Sequence, residues 1–95
     1  MKKFLFLHYG FEEPTAEIMA AWNKWFETVG NRMVDMGGLG DGLEISHEGR
    51  KDLPFGKDSL TGYNVITAEN IDEAEKIAGT NPFIASIRVY ELRER

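Results

Sequence analysis

Apolar and polar positions change period several times along the chain, and each change marks an element. Lys3 to Tyr9, KFLFLHY, is a short apolar and aromatic run closed by Gly10, the pattern of a buried strand. Phe4, Leu5, Phe6 and Leu7 are consecutive. Because successive strand side chains point to opposite sides, this run predicts burial on both faces. From Pro14 or Thr15 to Gly30 the period becomes helical. Ile18, Trp22, Trp25, Phe26 and Val29 fall on one side of the wheel, with Glu17, Lys24 and Glu27 elsewhere. This predicts an amphipathic helix carrying both tryptophans of the chain.

Residues Met33 to about His47 are poor in helix formers and rich in glycine. Leu39, Asp41, Leu43 and Ile45 recur with a period of two, and Gly38, Gly40 and Gly42 lie between them. The pattern predicts a strand with one bare face and bulges at its glycines, leaving room for a backbone, a partner or a ligand to approach. Residues 48–61 are polar, with Gly49, Pro54 and Gly56, and read as a long functional loop. Gly62 to Thr67 is a further strand. Asn70 then offers an N-cap with Glu73 three positions on, and Ile71, Ala74, Ile77 and Ala78 form the apolar stripe of a second helix stopped by Gly79. The closing run FIASIRVYEL, with Ile87, Val89, Tyr90 and Leu92, is the last strand.

The order strand, helix, strand, strand, helix, strand predicts an α+β fold. It is the ferredoxin-like βαββαβ arrangement, a four-stranded antiparallel sheet carrying both helices on one face. The other face then needs a cover, and a second copy of the chain is the simplest one. Two sheets stacked in this way pair as a dimeric α+β barrel.

Composition sharpens this picture without changing it. The chain has 95 residues, room for a single domain over 1–95, and the residue mix of an ordinary globular protein. A net charge of −5 with scattered lysines and arginines argues against nucleic acid and anionic membrane as partners. The absence of cysteine removes disulfides, thiolate metal sites and cysteine nucleophiles. The apolar run after Lys2 and Lys3 is too short for a signal peptide, and no run reaches membrane-span length, so a cytoplasmic chain is the default expectation. Arg50 to Asp52 and the closing Leu92 to Arg95 read as solvated charge.

The segment MGGLGDGLE, Met36 to Glu44, suggests a phosphate-binding glycine loop. However, it follows a helix and runs into a strand, whereas a phosphate loop follows a strand and opens a helix. Neither Ser46, Ser59 nor Ser86 lies in a G-x-S-x-G elbow, and no histidine spacing fits a metal site. No metal and no cofactor is expected. In the predicted topology His8, His47, Tyr63 and Ser86 approach one rim of the sheet. His8 with Asp41 is the pair suited to general acid–base work, since imidazole titrates near neutrality and a carboxylate fixes its tautomer. Trp22, His47, Tyr63 and Phe55 are the expected lining of a pocket between the sheet face and the 48–61 loop.

Nearly the whole chain resembles the YCII-related family, in its DGPF-type branch. The residues that carry the likeness are LFLHYG at 5–10, GGLGDGLE at 37–44, DLPF at 52–55, LTGYNVITAENIDEAEKIA at 60–78 and IRVYEL at 87–92. The resemblance implies a ferredoxin-like fold and a homodimer, with largely uncharacterised biochemistry. Two positions depart from the family pattern. Leu53 stands where the DGPF motif has glycine, and the first helix, AAWNKWFE over 20–27, lacks the histidine that some members pair with an aspartate. Two functions are open on these grounds: a homodimer that binds or transforms a small molecule, or a non-catalytic interaction or regulatory module.

Overall fold

A computed structural model of the protein describes residues 1–93; Glu94 and Arg95, the end of the charged closing stretch, lie outside the described residues. The elements are β1 (Lys2–Tyr9), α1 (Ala16–Val29), β2 (Met33–Gly38), β3 (Gly42–Ser46), β4 (Gly49–Leu53), β5 (Leu60–Ala68), α2 (Ile71–Gly79) and β6 (Ser86–Glu91). A single 3-10 turn at Gly30–Arg32 joins α1 to β2. Four strands form an antiparallel sheet in the order β2-β5-β1-β6, and β3 and β4 form a separate two-stranded hairpin. The molecule is thus α+β with two helices, compatible with a ferredoxin-like fold.

Local chemistry places the helix ends. Thr15 caps α1 by accepting the Ile18 N–H at 3.1 Å, and Gly30 closes it with a φ of 53°, a conformation most side chains avoid. Asn70 caps α2 by accepting the Glu73 N–H at 2.9 Å. The Glu73 carboxylate turns back to the Glu69 N–H at 3.0 Å and pairs with Arg32 at 2.5 Å. The Arg32 hydrogen bond and then the Glu69 amide hold the Glu73 carboxyl below its ordinary value.

Side-chain alternation sorts the main sheet into two faces. Phe4, Phe6 and Ile66 are fully buried and pack with Ala68, Trp25, Val29, Ala74 and Ala78 in one core between the sheet and the helices. Complete burial of such an aromatic or branched side chain contributes roughly 1.5–3 kcal/mol. Trp25 also ties the helices together, since its indole N–H reaches Ile77 O and Thr80 Oγ1, both at 3.2 Å. Leu5, Leu7 and Tyr9 of β1 and Tyr63, Val65 and Thr67 of β5 point to the opposite face and are half-buried. Within one chain, the expected two-sided burial of β1 is completed on the helix side only.

Two expectations need correction. The glycine-rich strand does not run from Met33 to His47: β2 ends at Gly38, and the chain leaves the sheet before re-forming as β3. Residues 48–61 are not all loop, because Gly49 to Leu53 is β4 and Leu60 already belongs to β5. All ten residues of β3 and β4 are exposed; the alternation of Leu43 and Ile45 still marks β3 as extended, while the consecutive charges Arg50 to Asp52 give β4 no such pattern. Within the chain the glycines play unequal parts. A Cβ at Gly38 or Gly40 would meet nothing within 4 Å, whereas one at Gly37 would lie 2.6 Å from the Tyr63 ring. It is Gly37 whose bareness the fold uses. Leu53 needs no special backbone, since only glycines have positive φ among the described residues.

Candidate functional site

His8 lies near the end of β1, between Gly62 of β5 and Ile87 of β6. Its position in the alternation turns it towards the helices, and only 7% of it is exposed. The ring meets Trp22 edge-on at a centroid distance of 5.3 Å. Its Nε2–H donates to Asn64 Oδ1. Nδ1 is therefore left as an acceptor, and it is buried without a partner. Burial pulls the His8 pKa below 6.5 by disfavouring the imidazolium, and the Asn64 hydrogen bond opposes this only in part. At neutral pH His8 is an uncharged ring whose free lone pair is enclosed by protein.

Asp41 is not its partner. The residue lies beyond the end of β2, is exposed, and its Oδ1 accepts the Phe55 N–H at 2.6 Å. The physical reason is the intervening strand: β5 separates β1 from β2 and supplies Asn64 at the point where the His8 ring needs an acceptor. Asp41 instead ties the end of the glycine-rich connection, just before β3, to the segment that leaves the hairpin.

That tie is one of several. Gly10 N–H donates to Ser59 O and Phe11 N–H to Lys57 O, each at 2.9 Å, and Leu39 N–H donates to Thr61 O at 2.9 Å. The Phe11 and Phe55 rings meet edge to face at 4.9 Å. The Leu39 loop and the 54–56 segment thus form a fixed partition with a cavity on each side.

One cavity, of about 660 Å³, lies between the first half of α1 and this partition, lined by Ile18, Met19, Trp22, Phe26, Phe55 and Ile84 among others. Glu12 is the one charged residue among those that line it. The other, of about 690 Å³, lies between the hairpin base and the end of the sheet, bounded by Tyr9, Leu39, Asp41, Lys51, Leu53 and Leu60. Residues of the 48–61 segment form much of its wall. The expected lining residues do not meet in it. Trp22 and Phe55 converge on the first cavity, and His47 and Tyr63 line neither.

His47 sits in the exposed turn at the hairpin tip. Tyr63 faces the helix-free side of the sheet, opposite to His8. Its hydroxyl donates to Asp35 Oδ2 at 3.2 Å while its ring covers Gly37. The nearby Asp35 charge, above all, raises the Tyr63 pKa over its usual value of 10.0. The predicted rim is therefore divided between two faces and a separate hairpin.

Sequence reasoning missed Asn64 and Asp35, which set the states of His8 and Tyr63. Asn64 was detectable, since in GYNVIT it shares the alternation of Ile66 and Ala68 on the core side, where a polar residue calls for a buried partner. Asn81 was missed as well; it is 5% exposed and its amide has no partner. Among the described residues no group of three or more His, Asp or Glu side chains is placed to hold a metal ion, and no helix is long and apolar enough to cross a membrane.

In comparisons with known proteins, no family model matches the chain and no significant match is found among curated proteins. The resemblance to the YCII-related family rests on the quoted segments alone.

Proposed function

We propose that the protein is a YCII-like homodimer of ferredoxin-like subunits that binds a small, flat, uncharged apolar molecule in the cleft between Trp22 and Phe55. The observation that carries the ligand reading is the cleft itself, a cavity of about 660 Å³ walled by aromatic and aliphatic side chains and held open by a bonded partition. Cavities of this size and lining suit drug-sized apolar ligands. Glu12 at its edge and a net charge of −5 disfavour an anion.

Binding is favoured over acid–base catalysis. His8 contacts Trp22 but lines neither cavity, and its free Nδ1 is enclosed. A general base must come within hydrogen-bond reach of the proton it removes.

The ferredoxin-like reading is supported by the strand order β2-β5-β1-β6 with antiparallel pairing throughout. The homodimer is supported by the helix-free sheet face, where Leu5, Leu7 and Val65 lie between Tyr63, Tyr90 and the Arg88 guanidinium stacked 4.7 Å above the Tyr9 ring.

The chain contains two tryptophans, so two indole N–H signals report the site by NMR. Titration with 2-naphthol should shift the Trp22 signal and leave that of Trp25, which is tied to α2, in place. The anionic 2-naphthoate should bind several-fold more weakly. Two unmoved indole signals at millimolar 2-naphthol would refute the cleft as the binding site.

A further inference from the structure

The hairpin is the part of the molecule least explained by its own chain. Register and alternation place Leu43 and Ile45 on one side of it, together with Arg50 and Asp52, which form an ion pair at 2.8 Å. Ile45 is 79% exposed and Leu43 48%. Lys51 and Leu53 point the other way and wall the cavity that Tyr9 and Leu60 close from the sheet. An uncovered two-stranded hairpin is marginal in water, yet this one is well formed over five residue pairs. The described chain is also wide for its length. Its radius of gyration is 14.6 Å, against about 12 Å for a compact domain of this size.

From this we infer that β3 and β4 form an arm whose Leu43–Ile45 ridge packs against a second copy of the chain. The inference rests on the homodimer reading given above, and it extends that interface beyond the sheet.

Three arguments favour a second copy over an unrelated partner. The first is area. Four strands of six to nine residues, about 4.8 Å apart, present a planar footprint of roughly 450 Å², a modest base for a stable dimer, which buries about 800 Å² of accessible surface per partner. The arm adds the exposed Leu43 and Ile45 to that base. The second is continuity. Tyr9 belongs to the helix-free face and also borders the cavity walled by the arm. A copy seated on that face lies within reach of a strand about 17 Å long, and two-fold symmetry uses each arm once in either direction. The third is charge. Glu44, Glu48 and Asp52 nearly balance Arg50 and Lys51, so the arm approaches another acidic chain with little repulsion.

The experiment is sedimentation equilibrium of the wild-type chain and of the double variant Leu43→Glu with Ile45→Glu. Tryptophan fluorescence and the unfolding midpoint of the dissociated chain check the fold. The wild type should sediment at about twice the 10.8 kDa chain mass, and the double variant should weaken the dimer at least 100-fold while keeping a native tryptophan spectrum. An unchanged dimer in the variant overturns the arm and leaves the sheet-face dimer standing. A wild type that is monomeric at millimolar concentration overturns both.

Hydrogen exchange on the wild type makes the result independent of the variant's folding. The amides of residues 43–53 should gain protection only above the dimer dissociation constant. Exchange that is the same above and below it also overturns the arm.

Discussion

The two faces of the main sheet are made from the same strands, one residue out of step, yet they differ in nearly every physical respect. Under the helices lie Phe4, Phe6, Ile66 and Ala68, all with no exposed surface, and here the polar exceptions, His8 and Asn64, bond to each other, with His8 Nδ1 left unpartnered. On the opposite face Leu5, Leu7 and Val65 keep part of their surface, and the polar groups pair as Tyr63 with Asp35 and Arg88 with Tyr9. The first face is finished by the chain itself. The second has the mixture of apolar centre, tyrosine and arginine that characterises surfaces which associate.

Substitutions on alternate residues of β1 test this difference most severely. Phe6→Ala removes a fully buried ring and should cost about 3–5 kcal/mol in urea unfolding. Leu7→Lys, one position on, should change the stability of the dissociated chain by about 1 kcal/mol or less while abolishing the dimer in sedimentation. Equal losses of monomer stability for the two variants would erase the distinction between the faces.

Protonation gives a second, smaller contrast. An unfolded histidine binds its proton near pH 6.5, and burial lowers that value for His8. Between the two values the unfolded state holds the extra proton, so stability is complete above about pH 7 and falls as the pH drops through 6.5. For one proton the slope is at most about 1.4 kcal/mol per pH unit. Urea midpoints at pH 7.5 and 5.5 should reveal the drop, and His8→Gln should flatten it. A slope that survives the substitution assigns the proton elsewhere.

Asp41→Ala tests the partition between the cavities. Loss of one charge-assisted hydrogen bond to Phe55, at an exposed position, should lower stability by about 1.5 kcal/mol and weaken 2-naphthol binding a few-fold in the NMR titration. On the exposed face Asp35→Asn should bring the Tyr63 pKa down towards 10.0, as read by ultraviolet titration, with little change in the unfolding midpoint. Unmoved tyrosine titration would separate Tyr63 from Asp35 in solution.

Legibility in the sequence follows burial closely. Thr15, Gly30 and Asn70 marked the helix ends because caps are local chemistry, and β1, β5 and both helices were readable because each has a buried side. The hairpin was readable only in its first strand. In GLEIS the alternation of Leu43 and Ile45 signals a strand, whereas GRKDL has three consecutive charges, no covered face and the composition of a loop. The candidate site was read in part. Trp22 and Phe55, which stand out individually as aromatics, converge on one cavity, while His8 packs behind Trp22 and lines neither cavity. The pairing of His8 with Asn64 depends on which strand lies next to which, and topology of that kind is not local in sequence.

The register slip between Met33 and Asp35 in β2 has a consequence for parity. Met33 pairs with Ile66 and Asp35 with Val65, the next residue of β5, so Val34 is surplus to the ladder. Without that surplus residue's bulge, every later position of β2 would exchange sides: the Asp35 carboxylate would turn into the apolar interior, and Gly37 would no longer lie beneath the Tyr63 ring. Val34 itself is half exposed. It acts as a spacer that keeps count for the strand, and a chain lacking Val34 should hold the same downstream pairing through a straighter edge.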